Sequence, residues 1–358
     1  MSTADRITIR EIAQQAGVST QTVSRVINQR PDVAQNTRQR VQAVIDATGY
    51  FPNRLAQGLT RGRTRTIGVI ISGLPLYGPS YTLAGLDKQA QALGFDLAIT
   101  LIHQEKDIPS AVRQLRAQNV AGVLWSVNGP AGKQVDEMVD SLCSNKIPVV
   151  LLSTSQKRPL TSVIVDNFSG SQLAVEHLQS EGCRQIGVIT GRMSERSAQE
   201  RLRGWRVTTS TPDPTYVVRG DWSAASGYQG VRQLLASQPD IDGVFACNDQ
   251  MALGVLRAAA QLGRTVPQDL AVIGFDDIPE AAYYRPSLST VRQDLGESTR
   301  LAMQALSEQI HASAAATTWP VQTITLQPQL VIRESSRLGR SMPPARTQTI
   351  HQIQENDS

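Results

Sequence analysis

The chain has 358 residues, of which 40% are hydrophobic, so it is too long for one compact domain and has enough apolar side chains for two or three cores. No run approaches 18 consecutive apolar residues, and the N-terminal residues include charges without an apolar segment, which disfavours a membrane span or a secretory signal and predicts a cytoplasmic protein. Cys143, Cys183 and Cys247 are far apart and form no Cys-x-x-Cys pair, so buried thiols are expected, with no metal site and no cofactor.

The positive charge of the chain is concentrated at its N-terminal end. Residues 1–66 contain ten arginines, no lysine and four acidic residues, a net charge of +6, whereas the whole chain carries +4 and residues 67–358 therefore carry −2. A one-sided basic segment supplies phosphate affinity that depends steeply on salt. The distribution predicts nucleic-acid binding by the N-terminal segment.

Residues 8–28 have the pattern of a helix-turn-helix. Thr8 and Glu11 have the spacing of a capping box, which predicts a first helix beginning at the next residue. Its apolar residues recur at the spacing of one helical face, and Gly17 ends it. Ser19 can cap a second helix. The residues that this second helix turns inward are Val23, Val26 and Ile27.

The second helix leaves a short polar set on its outer face. The set consists of Thr20, Gln21, Ser24 and Arg25, with Asn28 at its end. Gln21 can bond an adenine edge and Arg25 a guanine edge, while the shorter neighbours can reach phosphate oxygens. The alternative is an ordinary amphipathic helix pair with solvated polar residues. That alternative does not explain the one-sided positive charge, so DNA reading is favoured.

A third helix and a linker follow. Val41, Val44 and Ile45 predict the helix, and Gly49 ends it. The next stretch, residues 50–65, is short, basic and contains glycine, as is typical of a linker. Within it, residues 53–59 can form two helical turns, which would be stable only when docked, for example in a DNA groove. A plain flexible linker is the alternative.

From residue 67 the pattern changes to apolar strands alternating with helical stretches, which is typical of parallel βαβ units. Strands are predicted at residues 67–71, 95–101, 120–126, 147–152, 162–165, 184–190, 215–219, 243–247 and 270–275. These are more strands than one sheet comfortably needs. The expected fold is therefore α/β, with two doubly wound parallel subdomains after an all-α headpiece and a ligand cleft at the carboxyl ends of the strands.

Polar and aromatic residues follow several predicted strands, where such a cleft would lie. They include residues 72–79, Trp222, Asn248 and Asp276. Such groups supply donors and acceptors for hydroxyls and an aromatic face for a sugar ring. Each has a plainer alternative: Asn248 and Asp276 as caps or turn formers, Trp222 as core, and Arg201 as a solvated helix residue. Together they favour a sugar-like site.

Two other functional classes are disfavoured. The sequence has no Gly-x-Ser-x-Gly, His-Glu-x-x-His or Walker-type glycine loop, and its four histidines are scattered, so no enzyme is expected. Asp276 and Asp277 are adjacent, so in extended chain they point to opposite sides and cannot both line one catalytic site. A periplasmic-type sugar carrier would need a signal peptide and no helix-turn-helix, which this sequence does not match.

From Thr8 to about Arg337 the chain resembles the lactose and galactose repressor family of bacterial transcription factors. The segments similar to its DNA-reading unit are Ala16-Gly17-Val18-Ser19, Thr22-Val23-Ser24-Arg25-Val26 and Asn28, and Thr20-Gln21 stands where members vary to choose an operator. The stretch Asn53-Arg54-Leu55-Ala56 with Leu59 resembles the family's hinge helix. The resemblance implies that Leu59 wedges between base pairs in the minor groove and bends the duplex.

The same resemblance implies a set of effector contacts. These are Ser72, Leu76, Pro79, Arg201, Trp222, Asn248, Asp276 and Gln293, with Leu76 and Pro79 as an apolar wall. Ser153 and Ser126 stand where a sugar-binding relative has an aspartate and an asparagine. Because serine is shorter, extra room or bridging water is expected near one end of the ring.

The expected function is a homodimeric, sequence-specific transcriptional repressor that binds operator DNA and is controlled by a small sugar. A galactoside or related glycoside, bound between the core subdomains, is the expected effector. The alternatives are a repressor of the same family that responds to a purine or another metabolite, and a sugar-binding protein without a DNA role.

The expected domain organisation has five parts. They are a helix-turn-helix domain (1–52), a hinge helix and linker (53–66), a core N-subdomain (67–164 with 293–322), a core C-subdomain (165–292 with 323–337) and a disordered tail (338–358). The only large aliphatic residues late in the tail are Ile350 and Ile353, too few for a coiled-coil seam, so a dimer is the expected limit of assembly.

Overall fold

The structure is a computed structural model. It describes residues 7–27, 30–50, 64–127, 133–152, 160–210, 212–315, 317 and 321–338. The chain divides into two compact units, Met1–Thr64 and Arg65–Ser358.

The first unit is a bundle of three short helices whose ends are set by local side chains. The helices are Ile9–Gln15 (α1), Thr20–Ile27 (α2) and Gln35–Thr48 (α3). The backbone N–H of Thr8 donates to Glu11 Oε2 at 2.5 Å, and that of Glu11 donates to Thr8 Oγ1 at 3.4 Å, which completes the predicted capping box. Gly17 has φ +63°, a left-handed conformation that suits glycine in the turn.

The core of this unit consists of the apolar residues predicted to face inward. Ile12, Ala13, Ala16, Val23, Val26 and Val41 are buried together. Gly49, with φ +63°, ends α3 as expected. The three helices therefore bury one small shared core, which leaves the outer face of α2 to solvent.

The second unit contains two six-stranded sheets. The first sheet has strands Thr66–Ser72 (β1), Asp96–Ile102 (β2), Gly122–Ser126 (β3), Val149–Leu152 (β4), Ser162–Val165 (β5) and Thr323–Leu326 (β11), in the order β11-β5-β4-β3-β1-β2. All of its strand pairs are parallel. The four residues of β4 are all buried, as expected for a parallel strand covered on both faces.

The second sheet is built in the same way, with one antiparallel edge. Its strands are Ile186–Thr190 (β6), Val217–Arg219 (β7), Gly243–Ala246 (β8), Ala271–Asp276 (β9), Ser289–Arg292 (β10) and Gln329–Val331 (β12), in the order β12-β10-β9-β8-β6-β7. Only β12 runs antiparallel to its neighbour among these strands. The predicted α/β class with two doubly wound sheets is confirmed.

Helices cover the faces of both sheets. They are Tyr77–Leu93 (α4), Ile108–Ala117 (α5), Lys133–Ser144 (α6), Asn167–Ser180 (α7), Arg196–Thr208 (α8), Ala224–Ser237 (α9), Asp249–Gln261 (α10) and Leu295–Ala314 (α11). α11 packs on α4 and on the first sheet, whereas α7 and α8 pack on each other beside the second. No helix in the described part of the chain is long and apolar enough to cross a membrane.

The chain passes between the two sheets three times. The passages follow β5, β10 and β11, at residues 165–167, 292–295 and 326–329. The predicted subdomain boundary after residue 322 is wrong in one respect, because it assigns β11 to the core C-subdomain. Thr323 pairs with Ser162 and Leu326 with Val165, so the chain adds a strand to the first sheet before its last crossing.

Candidate ligand cleft and nucleic-acid interface

The candidate DNA-reading residues occupy two kinds of position in the first unit. Thr20, Gln21 and Arg25 are exposed on the outer face of α2, and Ser24 is partly buried. Thr8, Ser19 and Thr22 serve helix ends: Thr8 caps α1, and Ser19 Oγ accepts a hydrogen bond from Thr22 N at 3.1 Å. The remaining predicted DNA contacts, Asn28, Asn53, Leu55, Ala56 and Leu59, lie outside the described residues.

Arg25 is held beside an acidic residue from the following turn. Its guanidinium lies 3.4 Å from Asp32 Oδ2, and both side chains are about half exposed. An exposed ion pair of this kind contributes little to stability, typically about 0–1 kcal/mol. The guanidinium therefore keeps hydrogen-bonding capacity for a ligand in solvent.

All eight predicted effector residues line a single pocket of the second unit, between the two sheets. Ser72, Leu76 and Pro79 come from the end of β1 and the segment after it. The others come from the carboxyl ends of strands of the second sheet: Asp276 ends β9, Arg201 lies on the helix after β6, and Trp222, Asn248 and Gln293 lie shortly after β7, β8 and β10. The carboxyl ends of parallel strands carry ligand-binding loops in open α/β sheets, so the topology explains why residues distant in sequence converge here.

Arg201 is the buried centre of this pocket, with only 4% of its surface exposed. Its Nε donates to Asn167 Oδ1 at 2.8 Å, and Nη1 donates to the carbonyl of Cys247. The guanidinium carbon stacks 3.6 Å from the ring centroid of Phe275 and 5.5 Å from that of Trp222. The solvated-arginine alternative is therefore wrong, because every face of this group meets protein or the pocket.

Asp276 is the charge partner of Arg201. Its Oδ1 lies 3.6 Å from Arg201 Nη2 and accepts a hydrogen bond from Gln293 Nε2 at 2.5 Å. Burial raises the pKa of Asp276 to about 6, although Arg201 and Gln293 oppose that rise. The carboxylate is thus a strong acceptor at neutral pH and is close to its protonation point in mild acid.

The neighbouring Asp277 points away from the pocket. Its two oxygens pair with Arg292 at 2.6 Å and with Arg333 at 2.7 Å. The two adjacent aspartates have different partners, as expected, but with φ of +119° and +55° their backbone is not the extended chain on which that expectation rested. A paired-carboxylate catalytic arrangement is therefore not formed by Asp276 and Asp277.

Trp222 and Asn248 are fixed by each other and by the backbone. Asn248 Nδ2 donates to the carbonyl of Trp222 at 3.0 Å, and Asn248 Oδ1 accepts from Met251 N at 2.9 Å, capping α10. Trp222 has φ +78°, unusual for a residue with a side chain. A Cβ added at Gly191 would lie 2.0 Å from the indole, so only glycine there admits the ring. Such local strain is concentrated at functional sites.

Several residues that line the pocket were not predicted from the sequence. They are Thr82, Val165, Asn167, Glu195, Ser197, Gln250 and Leu295; Gly73, Tyr77 and Gly78 lie in the predicted segment 72–79 but were not named as contacts, and Ser126, noted above only as a departure, also lines the pocket. Glu195 lies in the loop after β6 and Asn167 in the passage after β5. The rule that cleft residues follow strand ends could have identified both. No group of three potential metal ligands occurs among the residues that the structure describes.

Comparison with known proteins connects both parts of the chain to one family. Residues 8–53 match the model "Bacterial regulatory proteins, lacI family", and residues 175–336 match "Periplasmic binding protein-like domain". The Escherichia coli K12 lactose operon repressor is 37% identical over 292 residues, 80% of each chain. A repressor named PurR from Mannheimia succiniciproducens is 31% identical over 92% of this chain and 98% of its own.

Solved structures agree with this relationship. A lac repressor dimer bound to operator and the anti-inducer ONPF has a TM-score of 0.81 and 33% identity, over 93% of this chain and 99% of its own. The regulator CelR in complex with cellobiose has a TM-score of 0.68 and 30% identity, over 92% and 100% of the two chains. These proteins are regulators rather than enzymes. The chain therefore belongs to the lacI family of bacterial regulatory proteins, and it is a DNA-binding transcriptional repressor.

Proposed function

We propose that this repressor binds a palindromic operator as a homodimer and that a small neutral sugar in the cleft controls it. The helix α2 would enter the major groove, where Gln21 and Arg25 would contact base edges while the smaller polar residues contact phosphates. Residues 53–59 would form the hinge helices, with Leu59 as the minor-groove wedge. The observation that carries the effector part is that all eight predicted contacts line one pocket.

The chemistry of the pocket favours a neutral, hydroxyl-rich ring. Arg201, Asn248 and Asp276 supply donors and acceptors for neighbouring hydroxyls, while Trp222 and Leu76 supply apolar faces. The charge of Arg201 is matched by that of Asp276 at 3.6 Å. A phosphate ligand would need more unpaired positive charge than this pair leaves, so we place the effector among galactosides and related glycosides.

A second effector class is supported by a specific observation. Relatives named PurR match this chain at 31% identity over 92% of its length. A purine or another metabolite is therefore the competing effector, and the cellobiose complex of CelR is the finding that supports the sugar.

The coupling between cleft and operator would be a population shift. The three passages between the sheets would act as the pivot, and a sugar that contacts both halves would favour one arrangement over the other. The change in operator affinity that the sugar causes is set by the difference between its affinities for the two arrangements. Typical coupling energies of about 1–3 kcal/mol correspond to roughly 5- to 150-fold in operator affinity.

A two-step experiment tests the proposal. Thermal shift of the full chain would be measured with galactosides, glucosides, cellobiose, hypoxanthine and guanine, since a ligand that binds only the folded state raises apparent stability by about 2.7 kcal/mol at 100 times its Kd. Each hit would then be added to labelled operator in a fluorescence anisotropy titration. We expect a sugar to stabilise the protein and to change operator affinity within the range above. Stabilisation by purines alone would overturn the sugar class.

A further inference from the structure

We infer that Glu195 selects the charge class of the effector. Its carboxylate accepts a hydrogen bond from a ligand hydroxyl at one end of the cleft and excludes ligands that carry a carboxylate or phosphate at that end. This inference rests on the proposed function and concerns a residue that neither the sequence motifs nor the family resemblance identified.

The Glu195 side chain faces the pocket, although its place in the chain would favour capping of a helix. It immediately precedes α8, where a carboxylate could cap the helix N-terminus, yet its side chain makes no cap hydrogen bond. Instead Oε2 accepts a hydrogen bond from Trp222 Nε1 at 3.0 Å, and the side chain lines the pocket with only 14% of its surface exposed. The indole thereby fixes one oxygen and leaves the other available.

That other oxygen has capacity for a ligand. The Arg192 guanidinium lies 3.8 Å from Oε1, beyond hydrogen-bond distance, and Arg201 also attracts the carboxylate. The Arg192 side chain is 53% exposed, so water screens its attraction to the carboxylate. A carboxylate oxygen of this kind accepts hydrogen bonds from hydroxyl groups and donates none.

Because of the charges around the pocket, the Glu195 carboxylate determines which charge the ligand can carry. Arg201, Asp276 and Glu195 carry the formal charges among the described lining residues, and the first two neutralise each other at 3.6 Å. Glu195 therefore leaves the lining with an excess negative charge. An anionic group placed beside it would be repelled, most strongly because the site is largely removed from water.

The position of Glu195 identifies which part of the ligand it meets. Together with Ser72 and Gly73, it also lines an adjoining cavity of about 450 Å³. That cavity has apolar walls such as Ile108, and the charged side chains among its described lining residues are Glu105, Glu195 and Arg192, which leave it with an excess negative charge. The ligand group beside Glu195 is therefore the one that extends from the ring toward this second space, as the substituent or second sugar of a glycoside does.

The test compares neutral and anionic ligands of matched shape on three forms of the full chain. The pairs are 2-hydroxyethyl galactoside with carboxymethyl galactoside and 2-hydroxyethyl glucoside with carboxymethyl glucoside, in which the substituent on the ring is either a neutral hydroxyl or a carboxylate, each titrated calorimetrically. The variant Glu195→Gln keeps an oxygen that can accept the indole N–H but removes the charge. Glu200→Gln is the control, since Glu200 lies on α8, which Glu195 immediately precedes, and pairs with Arg203 at 2.8 Å.

For the wild type we expect a neutral member to bind and its anionic partner to bind at least tenfold more weakly. In Glu195→Gln the neutral ligand should lose about fivefold, the difference between a charged and a neutral acceptor, and the anionic partner should gain. Glu200→Gln should behave as wild type. Equal wild-type affinity for both members of a pair, or an unchanged preference in Glu195→Gln, would overturn the role of Glu195 and leave the proposed function intact. Failure of every neutral sugar to bind would overturn both.

Discussion

At the scale of the residue, the cleft depends on Arg201, a proposed ligand contact that also holds neighbouring residues in place. Arg201 was expected as a ligand contact, and the structure shows in addition that it binds Asn167, Asp276 and the carbonyl of Cys247. Removing one partner of a buried ion pair leaves the other charge without compensation. Loss of ligand affinity in an Arg201 variant is therefore interpretable only alongside its stability.

The variant Arg201→Ala should lower the free energy of unfolding by about 3–5 kcal/mol, because Asp276 would remain buried without its partner. Urea denaturation followed by circular dichroism measures this change. The double variant Arg201→Ala/Asp276→Ala should be less destabilised than the sum of the two single changes. The control Arg203→Ala, at a residue whose side chain is 62% exposed, should change stability little. Equal losses at Arg201 and Arg203 would contradict the structural role.

The titration of Asp276 predicts that sugar affinity falls as the pH drops from 7 to 5. Its pKa is raised to about 6 by burial, so acid converts the acceptor carboxylate to a neutral acid. For this group, the free energy of unfolding rises as the pH falls. Because the folded pKa lies above the usual value of 3.8, the folded state binds more protons between these values, and lowering the pH through this window favours folding at this group.

Calorimetry from pH 5 to 8 with the sugar hit, beside urea denaturation at each pH, separates these two effects. Burial also raises the pKa of Glu195, so the series would be repeated with Asp276→Asn and Glu195→Gln. An affinity that stays constant down to pH 5 would contradict a ligand contact by the Asp276 carboxylate.

At the scale of the element, a strand that is a continuous apolar run could be predicted from the sequence. The nine predicted strands are present with ends within two residues, and β6, with the sequence Ile-Gly-Val-Ile-Thr, shows why: its buried run is bounded by polar residues. β10, β11 and β12 were missed. Each of these strands has only three or four residues. The residues of β11 alternate between exposed and half-buried. So short a pattern does not distinguish a strand from a loop.

The residues of the cleft divide in the same way, into those that the sequence predicts and those that it does not. Trp222 and Asn248 were expected in the cleft because they follow predicted strands and also lie in segments that resemble the family's effector site. Asn167 and Glu195 follow strands as well, but no such resemblance marks them, and the folded chain shows that they face the same space as Arg201. Convergence of side chains across two sheets is a property of tertiary packing, which no local pattern records.

Helix α1 gives a prediction at this scale. Replacing Thr8 by Ala removes the side-chain half of the capping box and should lower stability of the first unit by about 1 kcal/mol, within a usual range of about 0.5–2 kcal/mol. Thermal melting of the N-terminal helical signal measures the loss. Thr20→Ala is the matched control, since it changes an exposed threonine in α2 while leaving the Ser19 cap in place. Identical melting of the two variants would show that the cap contributes nothing.

At the scale of the whole molecule, the separation of charge follows the separation of function. The net charge of +6 lies in residues 1–66, which contain the helix-turn-helix, and the remaining residues are slightly acidic. The excess positive charge, which attracts phosphates, thus lies at one end of the chain.

A homodimer on a palindrome predicts a strict dependence on half-site spacing. Two recognition helices would reach the same face of the duplex about 34–36 Å apart. Inserting about 5 bp at the centre of the operator turns one half-site to the opposite face and should remove cooperative binding of two chains. Analytical ultracentrifugation with labelled operators measures the stoichiometry. Undiminished binding of two chains to the expanded operator would contradict the proposed geometry.

The late position of β11 has a consequence for how the protein is made. The first sheet starts with β1 but acquires its edge strand, Thr323–Leu326, and its covering helix α11 only near the end of the described chain. During synthesis both sheets therefore wait for an edge strand: the first has β5 as an open edge until β11 is made, and the second has β10 as an open edge until β12 is made. Unpaired edges of this kind promote aggregation. Nascent chains stalled before residue 323 should consequently depend on chaperones more than chains that have passed residue 331.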